Sequence, residues 1–453
     1  MSATDQADER LLRAALASAR DTRCLRMGRG VRRETAEVFA NLYRSSPALI
    51  IADTNTFEAA GRDVWDGMRR SGQACVEPLI LSGENVYAEY SLVEQVQRAI
   101  AGTGAIPVAV GSGTISDLTK LAAHHCGRRY MTVATAASMD GYTAFGASIT
   151  YKGSKQTFDC PAAQAVIADL DVIASAPEGM NASGYADLIA KIPAGADWLV
   201  AEACGVEGID TQVWNTVQQR LRHWSSDPDG VRLRTEEATK GLITGLLMTG
   251  FAMQAACSSR PASGAEHQFS HLWDMEHHTH TGVAPSHGFK VGIGSLASIA
   301  LYEFVLGLPV ERLDVDAAVA AWPDAAAMEQ EIGFLFTIDE LAQKAREEST
   351  AKQPDPQSLR AQLDSLLRSW SGLAPRLRAQ LVPRHEFGDM LRAAGAPWES
   401  GQIGISAERL ELSYRRAYHI RRRFTILDLA RRMATLDECH AGPFARLIQG
   451  LRT

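Results

Sequence analysis

The chain has 453 residues, a hydrophobic content of 46% and a formal net charge of −7 at pH 7. This length and composition allow large buried cores, and we expect two domains, 1–176 and 177–453. The negative charge argues against nucleic-acid binding, because no basic stripe dominates the chain. The local exception is RRAYHIRRR, residues 415–423, which we expect to form the solvated face of a helix.

Seven scattered cysteines contain no CxxC pair, which is typical of reduced thiols. The sequence shows no apolar targeting segment before a cleavage site and no run of about 18 apolar residues that would span a membrane. We therefore expect a cytoplasmic protein without membrane insertion.

The first third of the chain alternates predicted helices and strands. A helix over 5–20 is followed by an Arg-rich linker. A strand and turn are predicted at 48–56, and further strands at 77–83, from 106 and at 129–138. Predicted helices at 57–71, 91–101 and after the glycines at 111–113 separate these strands. This alternation indicates a parallel sheet with crossover connections, the doubly wound arrangement used for nucleotides.

A glycine turn joins the third of these strands to its helix. Glycines let a backbone approach a pyrophosphate closely, and the following helix N-terminus offers free N–H groups. The GxGxxG fingerprint is incomplete, because Ser116 stands at the third glycine position. The turn therefore fits either a dinucleotide site or an ordinary strand-to-helix connection. Asp53, at the end of the first strand, is either a ribose-binding carboxylate or a turn aspartate.

From residue 144 the pattern changes to strands within 144–173, with a hairpin turn at Gly153. Ser183 is predicted to cap a helix that carries Asp187, whose carboxylate is either exposed or buried and paired. Further helices are predicted at 211–224, 235–257, 264–275 and 287–306, and two more regions of this helical part, 339–394 and 410–436, are rich in charge and leucine. The polar stretch 347–357 reads as an exposed connection.

Six of the twelve histidines lie within 21 consecutive positions: His267, His271, His277, His278, His280 and His287. His267 and His271 stand four apart, which places both on one face of a helix. Ser286 is a plausible N-cap with His287 in the first turn, so two helices could bring His267 and His287 together around a metal ion. The other three histidines are expected in a solvated polar loop. Gln268 excludes the HExxH motif of zinc proteases.

Six ordered motifs support a family resemblance: GSGTISDLTK from 111, TAASMDGYTAFGAS from 135, AVIADLDVI from 165, SGYADLIAK from 183, SGAEHQFSH from 263 and PSHGFKVGIG from 285. Over roughly 49–300 the chain resembles the sn-glycerol-1-phosphate dehydrogenases, a branch of the superfamily that also holds glycerol dehydrogenase, iron-type alcohol dehydrogenases and, more remotely, 3-dehydroquinate synthase. The resemblance implies an α/β N-terminal domain with a parallel nucleotide-binding sheet and an all-α C-terminal domain.

The resemblance also implies the site residues. One divalent metal ion, zinc, nickel or iron, is expected on Asp187, His267 and His287, which form the catalytic set together with His271. Asp140, His271 and Asp187 are expected to contact a small phosphorylated polyol. Contacts to NAD or NADP are expected from Asp53, Gly113, Thr114, Ile115, Ser116, Asp117, Thr135, Ala136, Ala137 and Ser138. Ala144 departs from the serine that many members use to hold the cofactor.

The implied activity is the NAD(P)H-dependent interconversion of dihydroxyacetone phosphate and sn-glycerol 1-phosphate. A glycerol or other polyol dehydrogenase acting on an unphosphorylated substrate is the alternative within this class. A lyase of the dehydroquinate synthase type and a non-catalytic sensor are alternatives from other classes. Lys152, Lys155, Lys191 and Lys290 are candidates for the substrate phosphate, and we expect a homodimer or larger homo-oligomer.

Overall fold

The computed structural model describes residues 3–83 and 86–436. These residues fall into two compact units, within the bounds Met1–Leu188 and Asn215–Ser259 for unit 1 and Ile189–Trp214 and Arg260–Thr453 for unit 2. The predicted second domain, 177–453, therefore contributes two stretches of chain to unit 1.

The strands of the described residues all lie in unit 1: β1 Cys24–Gly28, β2 Ala48–Asp53, β3 Leu79–Leu81, β4 Ile106–Gly111, β5 Met131–Ala134, β6 Ala147–Tyr151, β7 Ser154–Phe158 and β8 Ala165–Asp169. Six of them form a sheet in the order β1-β8-β5-β4-β2-β3, and every neighbouring pair is parallel. The residues of β4, β5 and β8 are buried, as expected for strands covered on both faces. The predicted parallel sheet is confirmed.

Two predictions near this sheet are wrong. The Arg-rich linker contains β1, which pairs with β8 at the sheet edge. The predicted strand through residue 173 ends at Asp169, because the Asp169 carboxylate accepts the N–H of Asp171 at 3.0 Å and caps a short helix. The same carboxylate accepts the N–H of Gly30 at 3.0 Å, so it also holds the turn after β1. The predicted hairpin at Gly153 is confirmed as the antiparallel pair β6–β7.

The helices up to residue 256 are α1 Ala3–Ser18, α2 Thr35–Tyr43, α3 Thr54–Thr56, α4 Arg62–Arg70, α5 Tyr90–Thr103, α6 Gly113–His125, α7 Leu170–Ser175, α8 Glu178–Ile189, α9 Lys191–Ala203, α10 Thr211–Gln218, α11 Leu221–Trp224, α12 Pro228–Leu233 and α13 Glu236–Ala256. A π-helical stretch, Phe57–Gly61, joins α3 to α4. Ser183 lies inside α8 and is not its cap, and Pro193 lies in the first turn of α9, where a proline removes no helical hydrogen bond.

The remaining helices are α14 Ala265–Met275, α15 His287–Gly307, α16 Val315–Ala320, α17 Ala325–Leu335, α18 Asp339–Lys352, α19 Pro356–Gln380, α20 Arg384–Ala393, α21 Ala407–His419 and α22 Ile426–Arg432. The described part of unit 2 consists of helices and the loops that connect them, as predicted for an all-α domain. By length and composition α15 could span a membrane, but 78% of its apolar window is buried, as in the core helix of a globular unit.

Two helix boundaries in unit 2 differ from the sequence prediction. The expected exposed connection 347–357 is mostly helical, because α18 runs to Lys352 and α19 begins at Pro356. The expected helix face 415–423 is interrupted, because α21 ends at His419. Arg421 and Arg423 then lie in the connection between α21 and α22 and are only partly exposed.

Candidate active site

The glycine turn between β4 and α6 is closely packed. A Cβ atom on Gly111 would lie 2.5 Å from Cβ of Ile115, and one on Gly113 would lie 3.1 Å from Cγ of Met139. Ser112, the N-cap residue, makes no side-chain hydrogen bond to the helix. The turn therefore presents its backbone, rather than a capping side chain, at the N-terminus of α6.

The five predicted cofactor residues of this turn, 113–117, differ in their exposure to solvent. Gly113 and Thr114 are partly exposed, whereas Ile115 and Ser116 are buried. The Asp117 carboxylate accepts the Ser148 N–H at 3.1 Å, and burial raises the pKa of this carboxyl group. The Asp117 side chain thus fastens β6 to α6.

Lys120 is a buried lysine that sequence reasoning missed. Its ammonium group donates to the carbonyl oxygens of Gly141, Ala144 and Gly146 at 3.1, 3.2 and 2.8 Å. These bonds fix the turn that follows Asp140, a predicted substrate-binding residue. The available signal was a lysine within the apolar run LTKLAA, since lysine is almost never buried without partners.

The predicted cofactor segment Thr135, Ala136, Ala137 and Ser138 follows β5 and is buried. The hydroxyl of Tyr142 donates to the carbonyl oxygens of Ala136 at 2.8 Å and Gly111 at 3.3 Å. One side chain therefore ties this segment to the glycine turn. Tyr142 was not identified from the sequence as a site residue.

Helix α8 lies directly on the same segment. The Ala137 N–H donates to the side-chain oxygen of Asn181 at 3.2 Å. A Cβ atom on Gly184 would lie 1.7 Å from the carbonyl oxygen of Ala137. Only glycine allows this approach, so Gly184 sets the position of the helix that carries Asp187.

Asp53 caps the short helix α3. Its Oδ1 accepts the N–H of Thr56 at 2.8 Å, and the Thr56 hydroxyl accepts the N–H of Asp53 at 3.0 Å. This reciprocal capping box gives the carboxylate a structural role at the C-terminal end of β2. Asp53 remains partly exposed there.

The three histidines predicted for the site, His267, His271 and His287, lie close together on two helices of unit 2. His267 and His271 lie on α14, and His287 is the first residue of α15, where the Ser286 hydroxyl accepts the Phe289 N–H. The ring centroids of His267 and His287 are 5.2 Å apart, and that of His271 is 6.2 and 6.4 Å from these two. The predicted N-cap at Ser286 is confirmed.

Asp187 completes a candidate metal-binding group. It is fully buried near the end of α8, which leads through a single residue into α9. One donor atom from each of Asp187, His267 and His287 lies within 4.8 Å of the other two. One carboxylate and two imidazoles are a donor set that suits a divalent transition-metal ion and leaves coordination positions for a substrate. The residues present therefore fit the implied metal ion, and His271 is not part of this group.

Glu266 orients the first histidine. Its Oε1 lies 2.8 Å from His267 Nδ1 and accepts the Gly264 N–H at 2.5 Å. With Nδ1 donating to this carboxylate, Nε2 of His267 is left as the lone-pair donor, a common arrangement around metal-bound histidines. Burial lowers the pKa of His267 well below its usual range, so the imidazole stays neutral. Glu266 stands next to a predicted ligand, yet only its buried contact reveals its role.

The loop after α14 is less solvated than predicted. His278 is buried, its Nε2 donates to the Ile403 carbonyl oxygen at 2.6 Å, and its Nδ1 accepts from Arg409 at 2.7 Å. Burial lowers the pKa of His278. The prediction of a solvated loop is thus wrong for His278, which anchors the loop to α21.

The candidate phosphate-binding lysines have different surroundings. Lys290 is buried and pairs with Asp274, and Lys152 is exposed in the β6–β7 turn. Lys155 is partly exposed, whereas Lys191 is fully buried at the start of α9. Because Lys290 is engaged by a carboxylate, it is a poor candidate for a phosphate ligand.

Comparison with known proteins places these features in a family. A family model described as iron-containing alcohol dehydrogenase matches residues 26–177. The NAD(P)+ glycerol-1-phosphate dehydrogenase of Pyrococcus furiosus is 34% identical over 61% of this chain and 77% of its own length. The enzyme of that name from Halalkalibacterium halodurans is 35% identical over 56% of this chain and 64% of its own length, slightly under two thirds.

A solved structure supports the fold independently. The crystal structure of a probable glycerol dehydrogenase from Sinorhizobium meliloti 1021 is similar with a TM-score of 0.58 at 16% sequence identity. The similarity covers 94% of this chain and 98% of the other. At this identity the likeness concerns the fold alone.

Proposed function

The chain belongs to the glycerol-1-phosphate dehydrogenase family, and on this premise we propose that it interconverts dihydroxyacetone phosphate and sn-glycerol 1-phosphate by hydride transfer with NAD(P)H. The observation that carries the proposal is the group Asp187, His267 and His287, whose donor atoms lie within 4.8 Å of one another. Relatives at 34% and 35% identity bear the name glycerol-1-phosphate dehydrogenase. This favours the phosphorylated substrate over the unphosphorylated polyol of the alternative.

We propose that these three residues hold one divalent metal ion, zinc, nickel or iron. When bound, the ion supplies a Lewis acid that polarises the oxygen at the reacting carbon of the substrate. His267 contributes a neutral imidazole because it is buried, and Glu266 fixes the ring through Nδ1. The carboxylate of Asp187 partly offsets the positive charge of the ion.

We propose that unit 1 holds the NAD(P) cofactor through Asp53, the residues Gly113 to Asp117 and the segment Thr135 to Ser138. When bound, the cofactor supplies or accepts the hydride. Since Ile115 and Ser116 are buried, they would contact it through their backbone, and the N–H groups of α6 would face its pyrophosphate. Asp53 would repel a 2′-phosphate if it faces the ribose, which favours NAD.

His271 and Asp140 are the proposed substrate contacts beyond the metal-binding group. The His271 ring lies one helical turn from His267, at a centroid distance of 6.2 Å. It would hydrogen-bond to the substrate and relay the proton that the alkoxide oxygen takes up when the ketone is reduced. Asp140 would orient the substrate hydroxyl. The turn that follows Asp140 is held in place by hydrogen bonds from Lys120.

Two broader properties complete the proposal. The six cysteines in the described part of the chain are free, which supports a cytoplasmic location. A homodimer or larger homo-oligomer stays a prediction.

The proposal is tested by following NADH oxidation with protein reconstituted with zinc, nickel or iron. Dihydroxyacetone phosphate and dihydroxyacetone are compared, each with and without a chelator. We expect rapid, chelator-sensitive oxidation with the phosphorylated ketone and little with the other. Turnover of dihydroxyacetone alone would support the glycerol dehydrogenase alternative and contradict the proposal.

A further inference from the structure

The turn that begins at Asp140 contacts two helices of unit 1. It contains one turn of 3-10 helix, Gly141–Thr143, and leads on into β6. Lys120 of α6 binds three carbonyl oxygens of the turn. Helix α13, more than a hundred residues further along the chain, packs against the same turn. The position of Asp140 therefore depends on α13 as well as on Lys120.

Gly250, in the interior of α13, lies directly against the backbone of this turn. A Cβ atom on Gly250 would lie 2.7 Å from the carbonyl oxygen of Asp140 itself and 3.1 Å from the backbone nitrogen of Ala144. It would also overlap with the hydroxyl oxygen of Thr143. Glycine is unfavourable inside a helix, but it is the residue that allows two stretches of backbone to approach this closely. Gly250 thus sets the separation between α13 and Asp140.

Thr143 is bound to α13 by both its side chain and its backbone. Its hydroxyl donates to the Leu247 carbonyl oxygen at 2.7 Å, and its own carbonyl oxygen accepts from Nε2 of Gln254 at 2.8 Å. Leu247, Gly250 and Gln254 are spaced three and four residues apart, so they share one face of α13. Thr143 and Gln254 are buried, and water therefore does not compete for these two hydrogen bonds.

The Gln254 amide also ties α13 to the chain that enters the parallel sheet. Its Oε1 accepts the N–H groups of Asp21 at 2.8 Å and Thr22 at 3.3 Å, and its Nε2 donates to the Thr22 hydroxyl oxygen at 3.0 Å. The Thr22 hydroxyl in turn donates to the Ala163 carbonyl oxygen at 2.8 Å. With the bond to Thr143, two donors and two acceptor sites of the amide are all in use. Gln254 thereby connects the turn to the start of β1.

We propose that Gly250, Thr143 and Gln254 are positioning residues that set where the Asp140 carboxylate meets the substrate. They act through the backbone of the Asp140 turn. A substrate contact must be held to within about 0.5 Å of its productive position, and a displacement of about 1 Å can lower the rate about 100-fold. The inference rests on the proposed function, because it requires that Asp140 contacts the ketone.

The kinetic test compares Gly250→Ala with Gly241→Ala, the same substitution nearer the start of the same helix. Gly241 is partly exposed, and a Cβ atom there would lie 3.5 Å from the nearest atom, the Trp224 carbonyl oxygen, which is an ordinary contact. We expect Gly250→Ala to lower kcat/KM for dihydroxyacetone phosphate by about 10- to 100-fold. Gly241→Ala should leave it unchanged. Equal kinetic constants for the two variants would overturn the inference.

A double-mutant cycle with Asp140→Ala distinguishes positioning from a general loss of structure. If Gly250 acts through Asp140, then Gly250→Ala should change kcat/KM by less than about 3-fold once the Asp140 carboxylate is gone. A general structural effect would persist in both backgrounds. An undiminished loss in the Asp140→Ala background would therefore contradict the proposed role.

Thr143→Val and Thr143→Ser give a second pair of variants where Gly250→Ala fails to fold. Valine keeps the shape of threonine but removes the hydroxyl that binds Leu247, whereas serine keeps that hydroxyl. Thr143→Val should lower kcat/KM for dihydroxyacetone phosphate in the presence of Asp140, and Thr143→Ser should lower it less. Equal losses for valine and serine would show that the bond to α13 does not position Asp140.

Hydrogen exchange of the whole protein, followed by mass spectrometry, separates this inference from the proposed function. The backbone N–H groups of Ala144 and Gly146 are hydrogen-bonded within this region, and Gly250→Ala should make this segment exchange about 10-fold faster, whereas Gly241→Ala should not. Unchanged exchange in Gly250→Ala would overturn the inference. Faster local exchange in Gly250→Ala, together with a wild-type protein that does not turn over dihydroxyacetone phosphate, would refute the proposed function and leave the positioning of the turn by α13 standing.

Discussion

Replacing Gly184 by alanine places a methyl group against backbone that cannot move alone. The new Cβ would lie 1.7 Å from the Ala137 carbonyl oxygen and 3.1 Å from Cα of Ser138. Either α8 or the segment after β5 must therefore shift by more than an ångström. The first shift displaces Asp187, and the second displaces the proposed cofactor contacts.

The expected cost follows from two opposing effects. Alanine gains about 1 kcal/mol over glycine in a helix interior, whereas overpacking costs about 1–3 kcal/mol and more when backbone must move. We expect Gly184→Ala to lower the free energy of unfolding by about 2 kcal/mol net. For a unit of this size this corresponds to a fall of about 4–8 °C in melting temperature. Activity should fall as well, because both possible shifts move a proposed site residue.

The matched control is Gly372→Ala in α19. Gly372 is exposed, and a Cβ atom there would meet nothing within 4 Å. The same substitution should therefore stabilise the protein by about 0.5–1 kcal/mol and leave activity unchanged. Melting is followed by calorimetry and activity by NADH oxidation. If Gly184→Ala melts at or above the wild-type temperature with full activity, the argument from close packing is wrong.

Three further predictions concern the metal site, a buried lysine and pH. His267→Ala should lose both activity and bound metal, which is measured by elemental analysis. The control His385→Ala, at an exposed histidine, should keep both. Metal retained by His267→Ala would exclude His267 as a ligand. Lys120→Met should lower the free energy of unfolding in urea by about 3 kcal/mol, because carbonyl groups and a carboxylate lose a buried partner; an unchanged transition would contradict this. Burial raises the pKa of Glu348, but hydrogen bonds from two cationic side chains outweigh it and hold the pKa at about 2. Its stabilisation is present above about pH 4.5 and is lost as pH falls toward about 2, so the melting temperature of Glu348→Gln should depend less on pH in this window; parallel curves for the two proteins would refute the assignment.

The parallel sheet was predictable because β2 and β4 are short apolar runs that are each followed by a helix. The edge strand β1 was missed, since CLRMG gives no such run and its pairing with β8 joins residues more than a hundred positions apart. Long-range pairing of this kind leaves little local signal. The prediction that the strand continues past Asp169 failed because a capping carboxylate, rather than hydrophobicity, decides where β8 ends.

The candidate site shows the same division between local and long-range information. Spacing and the Ser286 cap pointed to His267 and His287 as partners, because both signals are local to two helices. Asp187 entered only through the family resemblance, and Glu266 was visible only once burial placed it against His267. The arginines at 421 and 423 were misread because their contact with Ser263 crosses about 160 residues of chain.

The measurement that tests the central claim most directly is the configuration of the product formed from dihydroxyacetone phosphate and NADH by the metal-reconstituted protein. The glycerol phosphate is isolated, and its configuration is determined by chiral chromatography against both sn-glycerol phosphates. The account predicts sn-glycerol 1-phosphate alone, with no product after metal removal. Formation of sn-glycerol 3-phosphate, or of any glycerol phosphate at an undiminished rate after metal removal, would contradict it.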